Sequence, residues 1–355
     1  MTQNPSHSKP VVDTPTRLPS RFRRWVRRGA ASLIAVLLTL VLLEVIFAVA
    51  GVFKPQPRVW VGDRENRESR NFIADEQIGW RGRPGHQFTY NTQEFKCAYR
   101  FNAGGFRAPA EFDPDDSRRT IALVGDSFTF ATGVNYEACY AAGLEKRLDN
   151  AVVWNMAMPG FAIDQVWLTV RHYALPLNPD LVVVGLFAGD FSRSLEAYRK
   201  LEGFNKPTFH LVDGTLQRRG PDDRPGTLFR FVEARTRIWQ LGRRAMAGAG
   251  YRWPVGQWWH LNAAILDKIR LDCAAQDTPV LFVYLPSKHW RPFPTLAAYM
   301  NDAEANYLDL TQTTDNPQPL YYPMDGHPNP QGHQHIAQEI ARAVIKTWPA
   351  YAPRE

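Results

Sequence analysis

The sequence predicts an α/β protein with a parallel five-stranded sheet, preceded by one membrane-crossing helix. Three observations predict it. Short β-branched apolar runs alternate with amphipathic segments from Thr120 onward. The first of those runs, Ile121 to Val124, stops abruptly at Gly125, Asp126 and Ser127. Near the N-terminus, Gly29 to Phe53 is apolar almost throughout.

The elements follow in order. "TIALVG" from Thr120 is a strand, its unbroken apolar run marking burial on both faces. "YEACYAAGLEKRL" is a helix, "AVVWN" a second strand and "AIDQVWLTVRHYA" a helix. "DLVVVGLF" is a third strand. A basic, aromatic section over 192–258 interrupts the rhythm and reads as an insertion. "LNAAILDKIRLDCAAQ" is then a helix, "PVLFVYLP" a fourth strand and "NYLDLT" a short fifth. "NPQGHQHIAQEIARAVIKTW" is the last helix, with Pro330 near its first turn. Right-handed crossovers bring the strand C-termini to one edge, where open α/β sheets bind ligands.

The chain's +7 charge is concentrated in residues 1–28, where seven cations face Asp13 alone. The remaining 327 residues are close to neutral, which argues against a nucleic-acid partner. Residues 1–28 read as a disordered basic leader and 29–53 as a transmembrane helix roughly 37 Å long. The arginines ahead of it place the N-terminus in the cytoplasm and everything after Phe53 outside. A cleaved signal peptide is the rival reading, because Ala48-Val49-Ala50 fits an A-x-A site. Glu44 sits inside the span, either paired with another helix or snorkelling to the outer interface. Residues 54–118, rich in Gly, Pro, Asn and Arg, read as an irregular, partly strand-forming segment packing on the main domain at 119–350.

Cys97, Cys139 and Cys273 would all face an oxidising compartment, and Cys97–Cys139 is the pair to test for a disulfide. Cys273 continues the four-residue rhythm of Leu261, Ile265 and Ile269 and reads as a core residue.

A serine is a weak nucleophile unless a base takes its proton. "YYPMDGHPNPQGHQH" supplies one at the same sheet edge as Ser127. Asp325 and His327 are two apart, which in extended backbone puts both side chains on one side. The carboxylate would orient the imidazole and stabilise its cation. The Ser127 N–H and the glycines after strands two and three, Gly160 and Gly189, are candidate oxyanion donors. His333 and His335, two apart on a helix, do not share a face, so no metal site is expected. Trp253, Trp258 and Trp259 read either as a sugar-stacking platform or as the core of a small cap.

These residues resemble the SGNH/GDSL hydrolases, over roughly Thr120 to the C-terminus. Gly125-Asp126-Ser127 resembles the first block and Asn155 to Gly160 the second. Asp325-Gly326-His327-Pro328-Asn329 resembles the last. The anchor, "DEQIGWRGRPG" and "FNAGGFRAP" are similar to exported, membrane-anchored bacterial members. The resemblance implies a flavodoxin-like three-layer sandwich with catalytic Ser127, Asp325 and His327. Gly160, Gly189, Asn155 and Asp190 become the oxyanion or substrate-binding set, with no cofactor, though Asp190 after strand three reads equally as a helix cap or structural acceptor. It also departs in two places. Gly189 stands where the third block has an oxyanion-donating Asn. Asp325 lies two rather than three before His327, as in a branch that includes exported polysaccharide O-acetyltransferases.

The implied activity is hydrolysis of short acyl esters, acetyl first, including those of a glycan. The alternatives are an O-acyltransferase of an envelope polysaccharide fed by a membrane acyl-donor partner, or a weakly active glycan-binding scaffold.

Overall fold

The computed structural model describes residues 20–50, 71–196, 198–199, 204–219, 255–289 and 291–353. The chain divides into two units, Met1–Pro55 with Thr227–Tyr251, and Gln56–Gly226 with Arg252–Glu355. In the first unit, α1 runs over Ser20–Val49. Its Arg24–Val49 portion, 26 residues, is long and apolar enough to cross a membrane. The helix starts ahead of the expected Gly29, because the intervening arginines are themselves good helix formers. Residues 1–19 of the expected leader lie outside the described residues, as do 51–53.

In the second unit, the segment expected to be irregular and partly strand-forming carries two antiparallel hairpins. β1 (Phe72–Asp75) pairs with β2 (Gly79–Gly82), and β3 (Gln87–Asn91) with β4 (Lys96–Arg100). Side chains close both turns. Asp75 accepts the N–H groups of Gln77 and Ile78, and Thr92 those of Glu94 and Phe95. The hairpins bury Trp80, Tyr99 and Phe101.

Next come β5 (Arg119–Val124), the short helix α2 (Ser127–Phe130), α3 (Tyr140–Glu145) and β6 (Ala151–Asn155). α4 (Ile163–Thr169) continues through a π turn at Val170–Ala174. β7 (Leu181–Leu186) and α5 (Ala188–Arg193) follow. In the expected insertion, β8 (Tyr198–Arg199) pairs with β9 (Phe204–Asn205), and β10 (Phe209–Val212) with β11 (Thr215–Arg218). α6 (Val255–Ala274), β12 (Val280–Tyr284), α7 (Pro294–Asp302), β13 (Tyr307–Asp309) and α8 (Pro330–Thr347) complete the chain. α7 is an element that the sequence pattern did not reveal.

β5, β6, β7, β12 and β13 form one parallel sheet in the order β13-β12-β7-β5-β6. Numbered along the sheet's own strands, this is the flavodoxin-like order 2-1-3-4-5, whose switch point lies between β5 and β7. Alternate residues of each strand face opposite layers. Ile121, Leu123 and Val183 pack with Tyr140 and Leu144 of α3 and Ile336, Ile340 and Val344 of α8. Ala122, Val124 and Val184 pack with Val166, Ile265 and Ile269, and with the hairpin aromatics. The hairpins are therefore part of the core on that face.

Cys97, Cys139 and Cys273 are buried free thiols, so the proposed Cys97–Cys139 bridge is not formed. Cys139 instead takes the N-cap position of α3, its sulfur accepting the Ala142 N–H. Trp259 packs against Phe191, Phe293 and Tyr299 and is half-buried core. Trp253 lies outside the described residues.

Candidate active site

The switch point gathers three loops at the C-terminal edge of the sheet. From β5, Gly125 lets the chain turn in close contact with its neighbours. A Cβ there would lie 2.2 Å from Thr129 Oγ1 and 2.9 Å from the Gly185 carbonyl. Asp126 is the N-cap of α2, its carboxylate accepting the Phe128 N–H at 2.9 Å. Ser127 is then the first residue of α2, half-buried at the mouth. The Arg107 guanidinium, fully buried, donates to the carbonyls of Phe130, Ala131 and Val134 at 2.6–2.7 Å. It thereby caps the C-terminal end of the same short helix.

The second arm is the loop between β13 and α8. His327 Nε2 lies 2.8 Å from Ser127 Oγ, and His327 Nδ1 lies 2.5 Å from Asp325 Oδ1. The local geometry differs from the extended backbone expected. Gly326 has φ +85°, a left-handed conformation that glycine adopts without steric cost. Asp325 Oδ1 also accepts the His327 backbone N–H at 3.2 Å. A tight turn closed by the Asp side chain, rather than strand alternation, brings the two side chains together. Burial pushes the Asp325 carboxyl up, but its hydrogen bond and ion pair with His327 outweigh this and hold it below the usual carboxylate range.

The loop is held from outside by Glu94 at the tip of the β3–β4 hairpin. Its two carboxylate oxygens accept the N–H groups of Met324 (2.9 Å) and Asp325 (2.6 Å). Lys288 donates to the Pro323 carbonyl, and Tyr322 OH to the Gly133 carbonyl. No local pattern in the sequence announced Glu94, because its partner is 231 positions away.

The remaining expected residues divide. Gly160 has φ +77° in the loop after β6, and the Met158 N–H ties that loop to the Gly125 carbonyl. Gly189 lies in the first turn of α5, where a Cβ would come within 2.6 Å of the Phe187 ring. Asn155 and Asp190, in the set the resemblance implies for oxyanion or substrate, are both fully buried, and Asp190 takes its other reading, a structural cap. Asn155 donates to the Thr129 carbonyl and accepts the Ala157 N–H, bracing the loops from below. Asp190 accepts the Phe187 N–H and pairs with Arg193. Burial and the Asp126 carboxylate push the Asp190 carboxyl well above its usual range, against the pull of Arg193.

Arg193 links these groups. Its Nη1 lies 3.0 Å from Asp126 Oδ2, 2.7 Å from Asp190 Oδ1 and 3.0 Å from the Phe161 carbonyl. Arg193 stands over the Phe187 ring, which stacks on Phe128, which in turn packs against His327. Its i,i+3 spacing from Asp190 is legible in the sequence. Its contact with Asp126 is not.

No family model matches the chain, and no curated protein matches it. Among solved structures, it is similar to the psychrotrophic esterase EstA from Pseudoalteromonas sp. (14% identity, TM-score 0.40, covering 65% of this chain and 98% of that one). It is also similar to the lipase/acylhydrolase from Enterococcus faecalis (15%, TM-score 0.39, 67% and 99%). A third is a member of the lipolytic protein G-D-S-L family from Veillonella parvula (11%, TM-score 0.37, 65% and 98%).

Proposed function

We propose that this chain is a serine-dependent acyl-ester hydrolase of SGNH type, with Ser127 as nucleophile, His327 as general base and Asp325 as its orienting acid. The observation that carries the reading is the relay Ser127 Oγ to His327 Nε2 (2.8 Å) and His327 Nδ1 to Asp325 (2.5 Å). A nucleophile within hydrogen-bond reach of a base, itself oriented by a third group, is the arrangement that activates a hydroxyl. Ser127 Oγ bonds to the ester carbonyl carbon as its proton passes to His327 Nε2. The tetrahedral intermediate collapses, the ester C–O bond breaks, and the leaving alkoxide takes that proton. Water then repeats the sequence on acyl-Ser127 and releases the acid.

The Ser127 and Gly160 N–H groups are the backbone donors at the edge where charge develops. Short acyl groups, acetyl first, are the proposed substrates, and the Asp-x-His spacing resembles that of enzymes handling glycan acyl groups. α1 serves as a retained anchor with the second unit outside the cytoplasm, its arginines lying on the cytoplasmic side.

Full-length protein in detergent, given an aryl acetate, should gain one acetyl group by intact mass, and Ser127→Ala should not. Fast turnover of the adduct marks a hydrolase. An adduct that persists until a glycan is added marks the transferase alternative. Neither adduct nor turnover with several short acyl donors would sink the catalytic reading.

A further inference from the structure

The loop that carries Gly160 is held at both ends. At its start, the Asn155 amide donates to the Thr129 carbonyl and the Met158 N–H to the Gly125 carbonyl, so this end moves with the Ser127 turn. At its other end the loop runs straight into α4, whose second residue is Asp164. Two distant segments grip that first turn. Gln165 accepts the Ala162 N–H and donates to the Ile78 carbonyl in the β1–β2 turn. Lys206 Nζ, from the segment after β9, donates to Asp164 Oδ2 at 2.5 Å and to the Pro207 carbonyl at 3.0 Å. Both side chains of this ion pair are completely inaccessible. The three segments meet closely: a Cβ on Gly79 would lie 3.0 Å from Lys206 Cβ and 3.1 Å from Gln165 Nε2. A buried ion pair is a poor device for stability alone, because desolvation offsets most of the attraction and apolar side chains of the same volume often serve as well. Burial pushes the Asp164 carboxyl above its usual range, against the pull of Lys206. What such a pair supplies is direction: a charge-assisted bond tolerates little change in distance or angle, whereas an apolar contact lets one surface slide on another.

We propose that Lys206 is a positioning residue for the reaction: by pairing with Asp164 it fixes the first turn of α4, and through that turn the loop that presents the Gly160 N–H to the developing oxyanion. The proposal rests on the serine-esterase reading above, with Gly160 as a backbone donor. Lys206 itself touches neither substrate nor the reacting atoms. A backbone donor has no side-chain freedom with which to correct a displaced loop, so its aim is only as good as the grip on the loop's two ends. The start of the loop is tied to the Ser127 turn, and Lys206 ties its end to the section over 192–258. That inserted section thereby acquires a purpose in the reaction, since its Lys206 reaches the helix that follows the Gly160 loop.

The test uses full-length protein in detergent. Lys206→Met keeps an unbranched apolar stem but leaves the buried Asp164 carboxylate unpaired, and should lower both Tm and kcat on an aryl acetate. The decisive variant is Lys206→Met/Asp164→Leu, which removes charge and counter-charge together. It should melt at or above the wild-type temperature, as apolar replacements of buried pairs do. Its kcat should nevertheless fall roughly 10²-fold with KM nearly unchanged, as a donor displaced by about 1 Å requires. Phenylboronic acid, which forms a negatively charged tetrahedral adduct on serine, should bind the double variant weaker by a similar factor. If the double variant does not fold, Asp164→Asn, which keeps the shape and an acceptor oxygen for Lys206, is read in the same way and should show the same losses in smaller measure. Wild-type kcat and boronate affinity in the double variant, or in Asp164→Asn in its place, would make the pair purely structural and overturn this proposal alone. If the wild type forms no boronate or acyl adduct at Ser127, the esterase reading falls and takes the proposal with it.

Discussion

The turn carrying Ser127 and the loop carrying Asp325 and His327 meet across one crevice, yet they are held there in different ways. The Ser127 turn issues from a strand whose residues Ile121–Val124 are completely buried. Its shape starts from neighbours in the sequence, a glycine, an Asp cap and a four-residue helix, and buried bonds from Arg107 and Asn155 then lock it. The Asp325–His327 loop is half-exposed and follows a strand of only three residues. Polar contacts from distant parts of the chain fix it, chiefly Glu94 and Lys288. Damage to the first region should therefore appear mainly as lost stability. Damage to the second should appear mainly as lost rate.

The largest expected effect breaks the second region at its centre. Asp325→Asn keeps the turn but offers His327 the wrong partner, and should lower kcat about 10⁴-fold. Steady-state hydrolysis of an aryl acetate reads this directly, with thermal melting nearly unchanged. Arg107→Leu sharpens the contrast from the other side. It strips the cap from three buried carbonyls around α2 and should cost about 3 kcal/mol or more in unfolding free energy, measured by denaturant titration. A variant that melts like wild type would show that the Ser127 turn does not depend on its cap.

Glu94→Ala releases the Asp325 backbone and should lower kcat roughly 10²-fold, as a displacement of about 1 Å does. Glu94→Gln keeps an acceptor oxygen and should fall between. A stability loss with unchanged kcat in Glu94→Ala would reverse the assignment of the two regions.

The smallest effect concerns His333, fully buried on α8 and stacked against Tyr140 beneath the Ser127 side of the sheet. Burial pushes its imidazole down to about 3, from an ordinary 6.5. Between those values the unfolded chain binds a proton that the folded chain refuses, so stability falls as pH falls through that window. The slope due to this histidine is at most about 1.4 kcal/mol per pH unit. His333→Phe should flatten the dependence of melting temperature on pH below about 6.5. An unchanged slope would mean that His333 contributes none of the acid sensitivity.

Much of this was legible in the residues alone. β6 was read to the residue, and β5, β7 and β12 to within one or two, because long buried β-branched runs have few alternatives. Ser127, Asp325 and His327 stood out because each follows a strand and carries the right functional group. What was misread was local polar geometry. The Asp-Gly-His segment is a turn with positive φ at Gly326. The hairpin of 87–100 does alternate, Phe88 and Tyr90 against Cys97 and Tyr99, but its strands of five residues are short runs in polar surroundings and their bounds were not read. Asn155, placed by the resemblance in the oxyanion or substrate-binding set, is turned inward by burial, whereas Asp190 takes the structural capping role that was its other reading.

By itself the sequence determined the five strands of the central sheet in chain order, most of the helices between them, the apolar N-terminal helix and the candidate nucleophile and base. Those rest on periodicity and functional-group chemistry, which are properties of short windows. Only the tertiary structure decided that Glu94 grips the loop of Asp325, that Arg107 caps the helix of Ser127, and that Arg193 and Ser127 share a carboxylate oxygen of Asp126. Each joins residues far apart in the chain through one or two hydrogen bonds. Such bonds form because folding has already removed the competing water, and no local pattern encodes which distant partner will be there.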